Sequence, residues 1–154
     1  MALTFPGNWT WRALGVDGEM NQDLLSNLSG YAEPLTYSYV LALGGPDVMP
    51  FDWGDYGVQF LQDENGVYDS LSIGGATYAA DFGEEDYCVL VLTEDLMMRV
   101  AGITRYGTRA GLMWLMNNTD AFIHSPHYLL HWADLNDDGE VQLEEVSVVE
   151  WPSG

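Results

Sequence analysis

The chain has 154 residues, of which 47% are apolar, and this is enough for about one domain with its own hydrophobic core. It carries 24 acidic residues but only four arginines and no lysine, so its formal net charge is -20. A phosphate backbone or an anionic membrane surface would be repelled by this charge, which excludes nucleic-acid binding and membrane-surface binding as functions.

The large negative charge also restricts the protein's surroundings. Repulsion between the carboxylates destabilises a compact chain, and bound cations, high salt or a basic partner relieve it. Three settings therefore fit: a halophilic or saline habitat, a calcium-rich compartment or particle, and a complex with a basic protein. The absence of lysine favours the saline setting.

The N-terminal segment predicts a short aromatic strand around residues 9–14 and an amphipathic helix over residues 17–30. Asp17 can cap this helix, Leu24 and Leu28 share a face with Met20, and a glycine ends it. The segment lacks the basic and apolar regions of a signal peptide, and no apolar run reaches the ~18 residues of a membrane span. We therefore expect neither a signal peptide nor a membrane helix.

From residue 35 to about residue 117 the pattern changes to short apolar or alternating runs. Glycine, proline, aspartate and asparagine interrupt them, which is typical of strands, and the short links favour antiparallel pairing. Asn65 and Gly66 form the clearest hairpin signal, because both tolerate the positive φ of a tight turn. The runs are LTYSYVLAL, YGVQFLQ, GVYDSLSI, ATYAADF, YCVLVLT, LMMRVAGITRY and AGLMWLM.

Together with the N-terminal strand, these runs make about eight strands, enough for a barrel or a two-sheet sandwich. The predicted fold class is α+β, mainly antiparallel β, with a short N-terminal helix and a C-terminal helix-loop-helix. The predicted domains are an antiparallel β domain over residues 1–118 and a helix-loop-helix appendage over residues 119–154. Ser125 and Pro126 predict the start of the first appendage helix, which should run to about residue 133.

Two segments resemble the lipocalin family. Gly7 to Trp9 is similar to an early Gly-x-Trp of that family, and TEDLMMRVAGITR is similar to its later segment that ends in arginine. The resemblance implies a barrel in which Trp9 and Arg105 pack together, as a cation and an aromatic ring can do. It also implies a small hydrophobic ligand inside the barrel.

The segment DLNDDGEVQLEE, residues 134–145, resembles the calcium loop of the EF-hand family, including its single-loop and dockerin-like forms. Such a loop has oxygen ligands at its positions 1, 3, 5, 7, 9 and 12, and a glycine at position 6 permits the sharp bend. Gly139 occupies position 6, and the apolar Val141 occupies position 8, where loops of this family carry a residue that packs against the core. The ligands that the resemblance implies for Ca²⁺ are Asp134, Asn136, Asp138, Glu140, Gln142 and Glu145, of which Glu140 contributes its carbonyl and Gln142 often acts through water.

Sensor EF-hands usually have a second loop, and residues 16–25 only echo one, because Leu24 stands where a final glutamate would be needed. An unpaired loop indicates a structural ion of modest affinity rather than a switch.

His127 and His131, four residues apart on the predicted helix, are a weaker candidate for a transition-metal site. A polar helix face with tyrosine and tryptophan packed beside it explains them better, and the lone Cys88 is expected to be a buried apolar side chain.

The sequence contains no nucleophile elbow, phosphate loop or dinucleotide fingerprint, so we expect no enzymatic activity. The expected function is a calcium-binding structural or interaction protein, a subunit of a larger assembly such as a virus particle or surface layer, with other protein subunits as partners. Two alternatives stay open. One is a carrier of a small hydrophobic ligand, and the other is an acidic inhibitor that mimics DNA.

Overall fold

The computed structural model describes residues 40–47, 51–93, 97–118 and 120–153. The predicted strand around residues 9–14, the predicted helix over residues 17–30 and Trp9 lie outside these residues. Among the helices in the described ranges, none has the length and apolar character needed to cross a membrane.

Eight strands, two helices and two short 3-10 helices make up the described fold, which confirms the α+β class with mainly antiparallel sheets. The 3-10 helices are Trp53–Tyr56 and Leu143–Glu145, and the α-helices are α1, Arg105–Asn117, and α2, Ala121–His124. The strands are β1 Val40–Leu43, β2 Val58–Gln62, β3 Tyr68–Ile73, β4 Ala76–Ala79, β5 Glu85–Leu92, β6 Met97–Gly102, β7 His127–Ala133 and β8 Val146–Val149.

The strands form two sheets. The larger has the order β1-β6-β5-β7-β8, in which β1 runs parallel to β6 and all other neighbours are antiparallel. The smaller is the antiparallel meander β2-β3-β4. Within the described residues neither sheet closes on itself. The mainly antiparallel pairing of the strands is confirmed, whereas the predicted arrangement as a barrel or a sandwich is not.

The predicted hairpin between β2 and β3 is confirmed. Gly66 adopts a φ of 78°, while the carboxylate of Asp63 accepts the N–H groups of Asn65 and Val67 at 2.8 and 3.0 Å. Of these turn residues only the glycine uses positive φ. The turn is therefore held by an aspartate side chain as well as by glycine.

Strand β5 lies at the centre of the core and is buried on both faces. Cys88 and Leu90 face α1, whereas Val89 and Val91 share a core with residues of the smaller sheet. This explains why the run YCVLVLT is continuously apolar rather than alternating. The fold has three layers, with the larger sheet between α1 and the smaller sheet, and Cys88 is buried as predicted.

The prediction of a strand for AGLMWLM is wrong, because these residues belong to α1. Thr104 caps the helix by accepting the N–H of Tyr106 at 3.3 Å. Close packing on the sheet needs glycine in the helix, since a Cβ atom at Gly111 would lie 2.3 Å from the sulfur of Cys88. The apolar run is helical because one of its faces covers β5 and β6.

The predicted helix over residues 126–133 is also wrong, because this segment is strand β7 and pairs with β5. The second predicted helix is only the 3-10 turn Leu143–Glu145, followed by β8. The helix-loop-helix is therefore a strand-loop-strand hairpin. Both strands belong to the larger sheet, so residues 119–154 contribute two strands to the main sheet rather than a helical appendage.

Candidate metal centre

The candidate calcium loop, residues 134–145, connects β7 to β8 at one end of the larger sheet. Its first residue is tied to the neighbouring turn between β4 and β5, because the N–H of Asp134 donates to the carbonyl of Glu84 at 2.8 Å. Val141 is only 5% exposed and packs with Trp132 and Ala110. The loop is thus anchored at its start by the sheet and at its middle by the core.

The side-chain oxygens of the first half of the loop converge on backbone N–H groups. One carboxylate oxygen of Asp134 accepts the N–H of Asp138 at 3.2 Å, and the other accepts that of Gly139 at 2.7 Å. The amide oxygen of Asn136 accepts the same N–H of Asp138, also at 3.2 Å. The oxygens of Asp134 and Asn136 therefore meet at one point inside the bend.

The bend itself depends on two left-handed residues. Gly139 has a φ of 73°, and Asp137 has a φ of 58°, the single positive value among the described non-glycine residues. Aspartate tolerates this conformation better than most side chains, and glycine adopts it without a steric penalty. The predicted role of Gly139 in making the loop turn is confirmed.

The second half of the loop adds an amide and another carboxylate. Asp138 accepts the N–H of Glu140 at 2.9 Å through Oδ1, while its Oδ2 accepts the side-chain amides of Asn136 and Gln142 at 3.1 and 2.5 Å. Asn136 also donates to the side-chain oxygen of Gln142 at 3.1 Å. Three of the predicted ligands are thus in direct contact, whereas Glu140 is exposed.

Glu145 has a structural role that the loop pattern does not reveal. It is 7% exposed, and its two oxygens accept the indole N–H of Trp132 at 3.1 Å and the backbone N–H groups of Leu135 and Gln142 at 3.0 and 3.3 Å. A carboxylate has about four acceptor directions. Three of them are used here, so Glu145 closes the loop onto β7 even without a cation.

The donor set fits the oxygen preference of calcium only in part. Side-chain oxygens of Asp134 and Asn136 meet inside the bend. The carboxylate of Asp138 and the carbonyl of Glu140 follow at the expected positions in the sequence, whereas Glu145 has little free acceptor capacity. Across the described ranges, no group of three or more His, Cys, Asp or Glu side chains is arranged to hold a metal ion. Asparagine, glutamine and carbonyl oxygens are outside those residue types, so calcium binding stays a prediction.

The two histidines of the weaker candidate site lie on β7 rather than on a helix. They are four residues apart on one strand, which separates them by about 13 Å at the usual rise. His131 instead contacts Glu85, with 2.6 Å between Nε2 and the carboxylate, and His127 packs on the ring of Trp151 at 4.1 Å. Burial lowers the pKa of His127. The two imidazoles are therefore too far apart to share one ion.

A buried carboxyl group that the sequence pattern does not mark lies beneath the N-terminus of α1. Asp86 is 1% exposed and accepts the N–H groups of Tyr87, Thr104 and Gly107 at 2.7, 3.0 and 2.8 Å, and the hydroxyl of Thr104 at 2.5 Å. Burial raises its pKa from the usual 3.8 to about 6, although these hydrogen bonds lower it in part. Asp86 supports the cap of α1, and the sequence carried no signal for it, because the residues it contacts on α1 lie about twenty positions further along the chain.

The predicted pair of Trp9 and Arg105 stays a prediction, because Trp9 is outside the described residues. Arg105 is the first residue of α1, and its guanidinium carbon lies 5.0 Å from the ring centre of Phe82 and 5.6 Å from that of Tyr106.

No family model matches the chain, and neither a curated protein nor a solved structure is significantly similar to it.

Proposed function

We propose that this protein is a non-enzymatic calcium-binding structural protein, a subunit of a larger assembly in a saline or calcium-rich setting. A virus particle or a surface layer is such an assembly. The observation that carries the proposal is the convergence of side-chain oxygens from Asp134 and Asn136 on the N–H of Asp138, inside a bend made by Gly139. The net charge of -20 supports it, because a bound cation offsets carboxylate repulsion.

Asp134, Asn136 and Asp138 would hold the ion through side-chain oxygens, and Glu140 through its carbonyl. Gln142 lies beside Asp138 and would contribute through a water molecule, as position 9 of such loops often does. Glu145 would add one oxygen while it keeps the N–H groups of Trp132 and Leu135. When bound, calcium would supply positive charge to the most crowded group of carboxylates in the loop.

The position of the loop favours a structural role over a switching role. It connects two hydrogen-bonded strands of the main sheet, and Val141 and Glu145 already hold it against the core. A switch needs an element with two stable arrangements. A hairpin clamped at both ends lacks this freedom, so the ion would stiffen the end of the sheet.

Exposed apolar side chains near the loop support assembly with other subunits. Leu135, inside the loop, is 75% exposed, and Phe82, in the turn tied to it, is 61% exposed. Large apolar side chains on the surface favour protein contacts when they lie close together. We therefore propose that this end of the sheet contacts neighbouring subunits.

The finer architecture that we propose is a two-sheet sandwich rather than a barrel. The two sheets share the core that contains Leu71 and Ile73 from one sheet and Val89 and Leu129 from the other. Sheets that pack face to face through such residues are typical of a sandwich.

Calcium titration of a matched pair of variants tests the proposal. Asp138→Asn removes the negative charge of a proposed ligand, and Asp137→Asn removes the same charge from a neighbouring residue that is not a proposed ligand. Thermal unfolding should be followed in 1 M NaCl, where general charge repulsion is already screened. Calcium at one hundred times its Kd should stabilise the wild type and Asp137→Asn by about 2.7 kcal/mol, and Asp138→Asn by far less.

Two outcomes would contradict this proposal. Equal stabilisation by magnesium and calcium at the same ionic strength would indicate screening instead of a site. Equal stabilisation of both variants would place the cation elsewhere. Size-exclusion chromatography with light scattering, with calcium or a chelator, tests the assembly, which should be lost when Phe82 and Leu135 are both replaced by serine.

A further inference from the structure

A cleft beside the smaller sheet, with a volume of about 780 Å³, is separate from the calcium loop. Its described walls come from Pro46, from the segment around the first 3-10 helix, and from β2 and β3. A cleft of this size suits a small ligand rather than a single ion. It shares no residue with the loop at residues 134–145.

One wall of the cleft is aromatic. Phe51, Phe60 and Tyr68 are half-buried, so part of each ring stays accessible. Trp53 is buried and contacts Phe51 and Phe60 edge-on, with ring centres 4.8 and 5.6 Å apart. The guanidinium carbon of Arg99 lies 3.6 Å from the ring centre of Phe51. The rings of Phe51 and Phe60 are thus held in fixed orientations by the side chains behind them.

The remaining lining is polar and has unused hydrogen-bonding capacity. Gln59 and Ser72 are directly opposite each other on β2 and β3. Within the described part of the chain, the side chains of Gln59, Ser72 and Tyr68 make no hydrogen bond to another residue. Asp52 accepts the N–H of Gly54 at 3.0 Å through one oxygen only. The cleft therefore offers an amide, two hydroxyls and a carboxylate oxygen to a ligand.

Glycines widen the rim on which these groups lie. Gly57 and Gly75 have φ values of 71° and 85°, and a Cβ atom at either would meet nothing within 4 Å. Gly54 and Gly74 also line the cleft. These residues have no side chains, so the rim stays open, and the N–H groups of Gly54 and Gly57 are held within it by Asp52 and by the carbonyl of Gly54.

We propose that this cleft binds a neutral oligosaccharide, with the sugar rings against Phe60 and Tyr68 and the hydroxyls on Gln59, Ser72 and Asp52. Phe60 and Gln59 follow each other on β2 and point to opposite faces, so the ligand crosses the edge of the smaller sheet that β2 forms. A sugar combines apolar ring faces with hydroxyl groups that both donate and accept hydrogen bonds. The cleft presents partners for the ring faces, for the donors and for the acceptors. A purely apolar ligand would leave the polar lining without partners. An ammonium ligand cannot accept from the amide or the hydroxyls, and the net charge repels an anion.

Titration with defined oligosaccharides tests this inference on the full chain. Cellohexaose, maltohexaose and xylohexaose are added to the ¹⁵N-labelled protein in 1 M NaCl with a chelator, so that the outcome does not depend on calcium. We expect at least one of them to shift the amide signals of β2 and β3. Gln59→Ala and Ser72→Ala should each weaken its binding about 2- to 10-fold, as the loss of one neutral hydrogen bond does.

Ser70→Ala is the matched control, because Ser70 lies two residues before Ser72 on the same face of β3 and does not line the cleft. Its affinity should stay within twofold of the wild type. If none of the three oligosaccharides shifts β2 and β3, or if Ser70→Ala and Ser72→Ala behave alike, the inference is wrong. Binding of the neutral hydrophobic dye N-phenyl-1-naphthylamine at the cleft, without displacement by any oligosaccharide, would likewise overturn it.

Discussion

Replacement of Asp86 by asparagine removes a titrating group from beneath the N-terminus of α1 while nearly keeping its size. In the wild type, burial of this side chain raises its pKa from the usual 3.8 to about 6. The folded state therefore holds a proton on Asp86 more tightly than the unfolded state does. The resulting stabilisation is fully present below pH 3.8 and is lost as the pH rises through about 6.

The full difference between the two pKa values corresponds to about 3 kcal/mol. Between pH 7.5 and pH 5.0 the linkage relation assigns about 1.4 kcal/mol to this one group. Asparagine cannot titrate, so the free energy of unfolding of the wild type minus that of Asp86→Asn should increase by about 1.4 kcal/mol when the pH falls from 7.5 to 5.0. The remaining carboxylates are common to both proteins and cancel.

Urea unfolding at the two pH values measures this difference, and pH 5.0 stays above the sequence pI of about 4.1. Asp55→Asn, at an exposed position, measures the effect of removing one charge from the surface. An unfolding difference that stays constant with pH, or that falls at pH 5.0, would refute the reasoning. The four hydrogen bonds to the carboxylate would then outweigh its burial.

Three further substitutions test the packing and the loop. Gly111→Ala should destabilise the fold by about 1–3 kcal/mol in urea unfolding, because its Cβ would overlap the sulfur of Cys88; unchanged stability would mean that α1 does not pack this closely. Glu145→Ala should cost about 1–3 kcal/mol in calcium-free buffer, because it leaves N–H donors at the loop without a partner, and a loss seen only with calcium would contradict its role as a clamp. Gly139→Ala should lower the free energy of unfolding by about 1–2 kcal/mol, because alanine is strained at the positive φ of this position. Thermal unfolding measures this loss, and a stabilised variant would mean that the loop does not bend there.

Local patterns in the sequence predicted the elements whose signals do not depend on their neighbours. The β2-β3 hairpin follows from Asn65-Gly66, and the bend of the loop follows from Gly139, because positive φ strongly favours glycine. The burial of Val141 followed from its place in the loop pattern. The antiparallel pairing of β2, β3 and β4 and of β5 with β6 followed from the short links between these apolar runs. The crossover from β6 to β7 through α1 was not predicted.

Short apolar runs do not specify their own secondary structure, because the same residues satisfy a period of 2 and a period of 3.6. Strand β7 was predicted as a helix and α1 as a strand for this reason. The choice was made by tertiary packing. Residues 127–133 pair with β5 as a neighbouring strand of the larger sheet. Gly107 and Gly111 let α1 pack closely on the face of that sheet opposite to the smaller sheet.

The sequence by itself determined the charge, the class of fold and the spacing of oxygens in the loop, because these depend on composition and on local geometry. Only the tertiary structure decided that the loop joins two strands of the main sheet, that Asp86 is buried beneath a helix and that aromatic and polar side chains from separate segments line one cleft. Each of these depends on contacts between residues far apart in the chain. Neither periodicity nor composition carries information about which distant segments will pack together.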